Sequence, residues 1–474
     1  RSPNMKSREG EDMTCELVDL GKEIVSAAEK KDIQQAEAYV LDHTFTTIRF
    51  ASSQILENKE DHVKGIVLRV LLPEGKIGSA VTTTFSTAAR QELIDFAIRS
   101  AKTKSPSNYQ SFPIPISIEC PLQESDLVDP NLWNLNVEKL IEHVAVQIDT
   151  AMDLNPAIGS VSGSHNAYLE HYAIVNSNGM EVCTKGTKLS NACTVELEAP
   201  SSAEPISGYA WYDGRKLDNF DPEKVATESA EMALRSKNPQ KLEPGTYTIV
   251  FEPYCFTEIL SYCVAYALSG KSIRDKRSYY VDKIGEKVAA DHFSLLDDPW
   301  LPDGMFSTPV DDEGVVTQSL PMIEKGVLKN YIYDSYSGMK DSRTSTGHGF
   351  RRRDFRHTLG VPSITPSNYV LDSSERIKDI ISETKNGILV SRVWYVYPIN
   401  PILGDFTGCG RSGMQLIKDG ELTIPLKQFR FFDNVQSLMK NIEGLGTDDV
   451  QVSPWFGYSI QAPSIKANNI RIPE

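Results

Sequence analysis

Apolar positions recur along this chain with two periods, and the switches between them mark its elements. Over residues 16–31, Leu17, Leu20, Ile24, Val25 and Ala28 fall at three- and four-residue steps, one face of an amphipathic helix. Over 35–50 apolar and polar positions alternate, as in a half-buried strand. The stretch 52–61 is polar. Residues 63–72 and 76–83 read as two more strands, a hairpin around a turn at Pro73 to Gly75. Residues 87–102 read as a second helix, with Ala89, Leu93, Phe96, Ala97 and Ile98 apolar. The Ser/Pro-rich run 104–121 predicts a boundary.

Beyond it, 136–155 has a helical pattern, and 157–164, 166–177, 182–198 and 206–213 read as a β-meander with Asn176-Ser-Asn-Gly179 as a hairpin turn. A helix over 221–234 carries Pro222 at an early, tolerated position. Near the middle of the chain a β-rich run, 246–252, ends at Pro253, which has no N–H for a ladder. The period then changes. Phe256, Ile259, Leu260, Cys263, Val264, Ala267 and Leu268 form one wide apolar stripe of about four helical turns. Gly270 is expected to end this helix in the left-handed conformation.

After a loop spanning 297–314, residues 317–325 and 326–334 predict a hairpin about Lys325-Gly326. A helix is expected over 373–385 and a strand over 387–397. Residues 401–406, 411–418, 421–430 and 438–443 follow as strands or edge segments, with Asp419-Gly420 as a turn. The fold class is therefore α+β. It comprises an N-terminal α/β domain (16–104), a middle α/β domain (122–240) and a β-rich, barrel- or sandwich-like C-terminal domain (245–474) packed around the central helix. Residues 1–15 are expected to be a disordered lead or an expression remnant.

Composition narrows the function. The 474 residues hold 64 acidic and 49 basic side chains, a net charge of −15, which argues against a general nucleic-acid binder. No run of 18 apolar residues predicts a membrane span, and the polar first residues do not read as a secretory signal. Seven cysteines without a CxxC pair suit a reduced, cytoplasmic compartment.

Several segments taken together resemble the TldD/PmbA metallopeptidase family over roughly residues 36–473. They are the central helix with Ile259, Leu260 and Leu268-Ser-Gly270, Asp312-Glu-Gly-Val315 with Ile323-Glu-Lys-Gly-Val-Leu328, Ser345-Thr-Gly-His-Gly-Phe-Arg-Arg-Arg353, and Gly404-Asp-Phe-Thr407. In the TldD branch the helix reads Leu-Leu-His-Glu-x-x-x-His. Two His four residues apart share a Zn²⁺, and the Glu serves as general base. Here Ser261, Tyr262 and Tyr266 stand at those positions. Ser is a poor ligand and Tyr titrates near 10, so the set does not suit zinc. The branch also takes a C-terminal Cys as ligand, and no Cys follows Cys409.

This loss resembles the PmbA, or TldE, branch. The resemblance implies a chain with no cofactor of its own, catalytically inactive alone. It would pair with a TldD-like zinc peptidase or with itself, around a cavity where small, modified or unfolded peptides are cut.

Other residues carry weaker signals. His348, Arg351 and Arg352, between Gly347 and Arg353, are expected to grip substrate, since arginine matches a peptide carboxylate. The competing reading is a domain-packing loop. His165 and His171 could in principle hold a metal elsewhere. Cys409, in a glycine-rich segment without a phosphate-loop pattern, could make the chain a stand-alone peptidase, against the plainer reading of a quiet thiol. Asp311, Asp312 and Glu313 read as solvated or turn-forming rather than a general-base cluster. A homodimeric, non-catalytic binding or scaffold protein is the remaining alternative.

Overall fold

The computed structural model describes residues 13–116, 120–198, 205–353 and 355–473. The lead expected at 1–15 lies outside them, except where the first helix begins at Met13. The N-terminal part runs α1 (Met13–Glu29), β1 (Gln35–Ala51), β2 (Gln54–Leu72), β3 (Lys76–Thr82) and α2 (Thr87–Lys102). Two short helices, α3 (Glu124–Leu127) and α4 (Pro130–Trp133), lead to α5 (Val137–Leu154), β4 (Ile158–Asn176), β5 (Glu181–Leu197), β6 (Ser207–Gly214) and α6 (Pro222–Arg235).

These six strands make one sheet, ordered β3-β2-β1-β4-β5-β6. β1 joins the two halves, pairing with β4 from Glu37 opposite Asn176 to Phe50 opposite Gly163. The polar run 52–61 proves to be a strand: β2 starts at Gln54 and pairs with β1 along its length. Ser52 and Ser53 turn the chain with φ of 49° and 58°, the left-handed pair of a tight hairpin. The outer half of β2 is largely exposed, so no apolar alternation marks it.

All four long helices cover one face of this sheet. Even-numbered β1 residues Ala36, Ala38 and Val40 pack with Leu17, Ile24, Leu93 and Ile94 of α1 and α2. Ile48 and Phe50, on the same side, pack with Leu140, Val144, Val225 and Ala226 of α5 and α6. The odd-numbered face is left for the C-terminal domain.

That domain begins with β7 (Gly245–Phe251), α7 (Pro253–Cys263) and α8 (Gly270–Arg274), then β8 (Phe293–Asp297), β9 (Leu320–Glu324), β10 (Val327–Leu328) and α9 (Ser335–Lys340). Four two-residue strands follow: β11 (Gly349–Phe350), β12 (Arg352–Arg353), β13 (Arg356–His357) and β14 (Ser363–Ile364). The chain continues through β15 (Asn368–Ser373), β16 (Asn386–Val390), β17 (Arg392–Asn400), β18 (Asp405–Ser412), β19 (Gln415–Lys418), β20 (Glu421–Pro425) and β21 (Arg430–Asn434). It closes with α10 (Val435–Lys440), β22 (Ile442–Leu445), β23 (Val450–Val452), β24 (Ser459–Ala462) and β25 (Ile465–Ile472).

Two six-stranded sheets result, β10-β9-β8-β15-β24-β23 and β20-β19-β16-β7-β25-β22, beside a three-stranded one, β17-β18-β21. Phe256, Leu260 and Cys263 of α7 share one core with Leu295, Met322 and Tyr369 of the first sheet and Ile249, Ile388 and Ile465 of the second. The arrangement is sandwich-like, with no closed barrel among the described strands. Hairpins form at Lys325-Gly326 and Asp419-Gly420, all four residues having φ between 47° and 80°.

Three local expectations are corrected. Gly270 does not end the central helix: α7 stops at Cys263, a 3₁₀ turn spans Ala265–Leu268, and Gly270 opens α8 without a positive φ. Glycine is needed there for space, because a Cβ would lie 2.1 Å from the Tyr333 ring. Residues 374–385 are turns rather than helix, their Ile377, Ile380 and Ile381 pinned against Val250, Leu389 and Ile417. Residues 435–440 are helix rather than strand, because the Asn434 side chain accepts from the backbone N–H groups of Gln436 and Ser437 and caps them.

Candidate functional site

Almost every side chain of α7 is buried. The half-buried exceptions, Tyr254, Glu258 and Tyr262, recur every fourth residue, one stripe on the outer side, and Tyr266 continues the spacing beyond the helix end. Ser261 is turned inward, 5% exposed, its hydroxyl donating to the Thr257 carbonyl at 2.6 Å. The Tyr262 ring meets Phe456 and Tyr397 edge-on, with centroids 4.9 and 6.0 Å away. The Tyr266 phenol donates to the Pro401 carbonyl at 3.1 Å.

A zinc ion needs converging, easily deprotonated donors. Ser261 faces the core, Tyr266 sits in the 3₁₀ turn, and burial raises the phenols of Tyr262 and Tyr266. These residues do not fit the metal. Among the described residues, no group of three or more His, Cys, Asp or Glu could hold a metal ion. His165 and His171 share one strand face but lie six residues apart, roughly 20 Å at the rise of a strand. His165 contacts His143 and Asn191, and His171 contacts Cys183. Burial holds the two imidazoles down, to about 3 and about 4 respectively.

The outer stripe of α7 faces a surface assembled by strand register. Arg49 lies opposite Ser164, Ser164 opposite Ala192 and Ala192 opposite Trp211; Ser162 lies opposite Thr194 and Thr194 opposite Tyr209. These residues share the sheet face turned away from the helices. Ser162, Ser164, Ala192 and Thr194 floor a groove of about 840 Å³ beside Arg49 and Leu56.

On β6 the floor gives way to aromatic rings. Tyr209 and Trp211 stack at 6.1 Å, and Tyr254 of α7 lies 5.0 and 4.8 Å from them. The Arg392 guanidinium carbon lies 3.7 Å from the Tyr209 centroid and 5.2 Å from that of Trp394, and that of Arg411 lies 3.5 Å from Trp394. Tyr395, Tyr397 and Ile399 of the edge strand β17 are exposed, as are Trp455 and Phe456. Burial pushes the Glu258 carboxyl up to about 7 against the pull of Arg392, and it pushes Asp213, under the same face, up to about 7.

The second predicted cluster is placed differently. His348 is 1% exposed, with Nε2 3.2 Å from Asp297 Oδ2 and Nδ1 against Thr346. Arg351 is enclosed: it donates to Glu37 Oε1 at 2.7 Å, to the Gly360 carbonyl at 3.0 Å and to the Asp312 carbonyl, with its guanidinium over the Tyr39 ring. Glu37 also takes two bonds from Arg69, at 2.8 and 2.6 Å, and Arg69 reaches Glu313 at 3.0 Å. His357 stands between Glu170 and Asp312, at 3.0 and 3.3 Å, and Lys188 meets Glu170 at 2.6 Å.

Burial alone would raise the carboxyls of Glu37, Glu170 and Asp312, but their cationic neighbours outweigh it and hold them down. Burial would lower His357, and its two carboxylates raise it instead. Asp311, Asp312 and Glu313 do form a turn, but not a solvated one: all three are buried, and Asp311 accepts the backbone N–H groups of Glu313, Val315 and Gly349.

This network joins β1, β2, β4 and β5 to residues 311–313, Arg351 and His357, and it takes up the donors of Arg351, while His348 is held apart from it by Asp297 and Thr346. Arg352 differs. It is half-buried, stacked over Phe350 at 3.7 Å, and its Nε and Nη1 have no hydrogen-bond partner among the described residues. Cys409 is half-buried, and burial raises its thiol despite Arg430 and Arg411 nearby, the wrong direction for a nucleophile. Reading the sequence missed Tyr209, Trp211, Glu258, Arg392, Trp394 and Arg411. The run Arg392-Val-Trp-Tyr-Val-Tyr397, which places an arginine and three aromatics on one strand, was the available signal.

Comparison with known proteins agrees with this architecture. Models of PmbA/TldA metallopeptidase domain 1, central domain and C-terminal domain match residues 36–101, 130–237 and 244–474. An uncharacterized protein of Methanocaldococcus jannaschii is 27% identical over 82% of this chain and 85% of its own length. A metalloprotease PmbA homologue of Haemophilus influenzae is 27% identical over 89% of this chain and 88% of its own. That organism's metalloprotease TldD homologue is 24% identical over 79% and 77%. The crystal structure of TldE from Thermococcus kodakarensis shares the fold, with a TM-score of 0.86 at 22% identity over 96% of this chain and all of that one. The chain belongs to the PmbA/TldD metallopeptidase family.

Proposed function

We propose that this chain is the zinc-free, TldE-type subunit of a TldD/TldE-type peptidase, holding small, modified or unfolded peptides for a TldD-like partner to cut. The observation that carries the reading is α7. The helix stays packed in the core, yet Ser261, Tyr262 and, in the 3₁₀ turn beyond its end, Tyr266 stand where the TldD-branch helix carries its metal-binding set, and they offer no converging donors. Zinc would sit in the partner and supply the Lewis acid and the activated water.

This chain's own part is binding. The groove floored by Ser162, Ser164, Ala192 and Thr194 gives an extended peptide room, and Tyr209, Trp211, Tyr254, Tyr262 and Tyr397 offer apolar rings to its side chains. Arg352 keeps the substrate-gripping role in this reading as the member of the cluster whose Nε and Nη1 are buried donors without a partner among the described residues. His348 and Arg351 hold the domains that frame the face. We place the complex in the cytoplasm, away from nucleic acid and membrane. Cys120, Cys183, Cys193, Cys255, Cys263 and Cys409 are free, and no described helix is long and apolar enough to cross a membrane.

Co-expression with a TldD-like chain tests the reading. The pair should co-purify and cleave an unfolded peptide, and this chain alone should not. Cleavage by this chain alone, abolished by Cys409→Ala, would establish the stand-alone peptidase instead. A chain recovered only with itself would favour the scaffold.

A further inference from the structure

Two arginines on the open face lack counter-charges. Arg392 and Arg411 come from adjacent strands, β17 and β18, and both guanidiniums lie on the Trp394 ring, 5.2 and 3.5 Å from its centroid. Arg392 is also held 3.7 Å over Tyr209. Stacking fixes the plane of each guanidinium and leaves its N–H edge directed outward from the ring system. Among the described residues neither guanidinium makes an ion pair within 4.0 Å or a hydrogen bond, and Arg392 Nε is a buried donor without an acceptor.

Such a pair is unexpected in a chain with 64 acidic and 49 basic residues. The arrangement is also costly: burial lowers the Arg411 pKa, and the neighbouring Arg392 lowers it further. The nearest acids do not neutralise it. Glu196 and Glu258 act on the two arginines only from beyond ion-pair distance, and Glu258, pushed up to about 7, is only partly ionised at neutral pH.

We propose that Arg392 and Arg411, both packed on Trp394, form a clamp for a carboxylate of the bound peptide. The proposal rests on the peptide-holding reading above and adds the chemistry of what is held. Two planar guanidiniums match the fork of a carboxylate. The net charge of −15 repels a polyanion such as a nucleic acid, whereas a single carboxylate on a short peptide approaches with little penalty. The carboxylate comes from the peptide's C-terminus or from an Asp or Glu side chain, and the two sources are separable.

The test uses the full chain and one N-acetylated synthetic peptide made in three forms: a Glu form with an amidated end, a Gln form with a free C-terminal carboxylate, and a Gln form with an amidated end. Affinities are read by calorimetry. At least one carboxylate form should bind roughly tenfold tighter than the neutral peptide, as a charge-assisted hydrogen-bonded pair implies. Whichever form is preferred names the source. The double substitution Arg392→Gln with Arg411→Gln should remove the preference, and a cooperative melting curve shows that the variant is folded. Replacing both arginines by Lys should restore part of it.

Equal affinity for all three forms, or a preference that survives the double substitution, overturns the clamp and leaves the peptide-holding reading intact. No binding of any form overturns both. A single-stranded oligonucleotide that binds tighter than the peptides, and loses affinity in the double variant, overturns the carboxylate assignment in favour of phosphate.

Discussion

Arg351 and Glu37 are 314 positions apart in the chain, yet an Nη2 of one stands 2.7 Å from an Oε1 of the other, with both side chains sealed from solvent. Glu37 belongs to β1, the strand that joins the two halves of the N-terminal sheet. Arg351 belongs to the loop that carries the family's glycine-rich signature. The pair locks the sheet to the C-terminal domain.

Removing one member leaves a buried charge without its partner. Arg351→Met is therefore expected to destabilise the protein by about 3–5 kcal/mol. Adding Glu37→Gln should recover part of the loss, although Arg69 then lacks its bidentate acceptor. Thermal denaturation of the two singles and the double gives the coupling, and additive losses would refute the lock.

Glu258 makes stability depend on pH. Its folded pKa, about 7, lies above the ordinary 4.5. Above pH 7 the carboxylate is ionised in both states, and the folded protein bears the full cost of burying it. Below 4.5 both states are protonated and the cost vanishes. Glu258→Gln should accordingly melt higher than wild type at pH 8 and equally at pH 4, the gap closing between about 7 and 4.5. Melting curves at the two pH values decide it, and a gap that grows on acidification would contradict the assignment.

Restoring the family motif should not restore the metal site. Ser261 points into the core and Tyr266 lies in the 3₁₀ turn beyond α7. The triple substitution Ser261→His, Tyr262→Glu, Tyr266→His is expected to lose stability, because an imidazole replaces a buried serine, and to bind no stoichiometric zinc. Elemental analysis together with a melting curve checks both. Tight zinc binding by that variant would mean that the helix end rearranges more readily than its packing implies.

Gly270 offers a sharper packing test. A methyl group there would sit 2.1 Å from Tyr333 Cε1. Gly270→Ala should cost about 1–3 kcal/mol as the ring is displaced. Gly270→Ala with Tyr333→Leu should cost less than the sum of the two changes, as a denaturation cycle would show.

Much of the fold was legible because its signals are local. The alternation of β1, the Asn176 to Gly179 turn, the meander β4 to β6 (with 157–164 and 166–177 forming one strand rather than the two expected) and the two hairpins at Lys325-Gly326 and Asp419-Gly420 follow from short-range pattern and turn chemistry. What failed was set by distant partners. The outer half of β2 is a strand because β1 pairs with it, and no apolar pattern of its own says so. Residues 374–385 have helix-like spacing, but their isoleucines are pinned against strands.

The same holds for the candidate site. That Ser261, Tyr262 and Tyr266 stand where the TldD-branch helix carries its metal-binding set was readable in the sequence. The burial of His348 and Arg351 was not, because their partners Asp297 and Glu37 lie 51 and 314 residues away. Nor could a linear reading gather Tyr209, Tyr254, Arg392 and Arg411 from β6, α7, β17 and β18 onto one face.

The central claim is that this chain contributes binding and not metal. Zinc analysis of the co-purified pair, repeated on each chain after separation, tests it most directly. The account predicts zinc in molar equivalence with the TldD-like chain and none above background on this one. Stoichiometric zinc that stays with this chain after separation would contradict it.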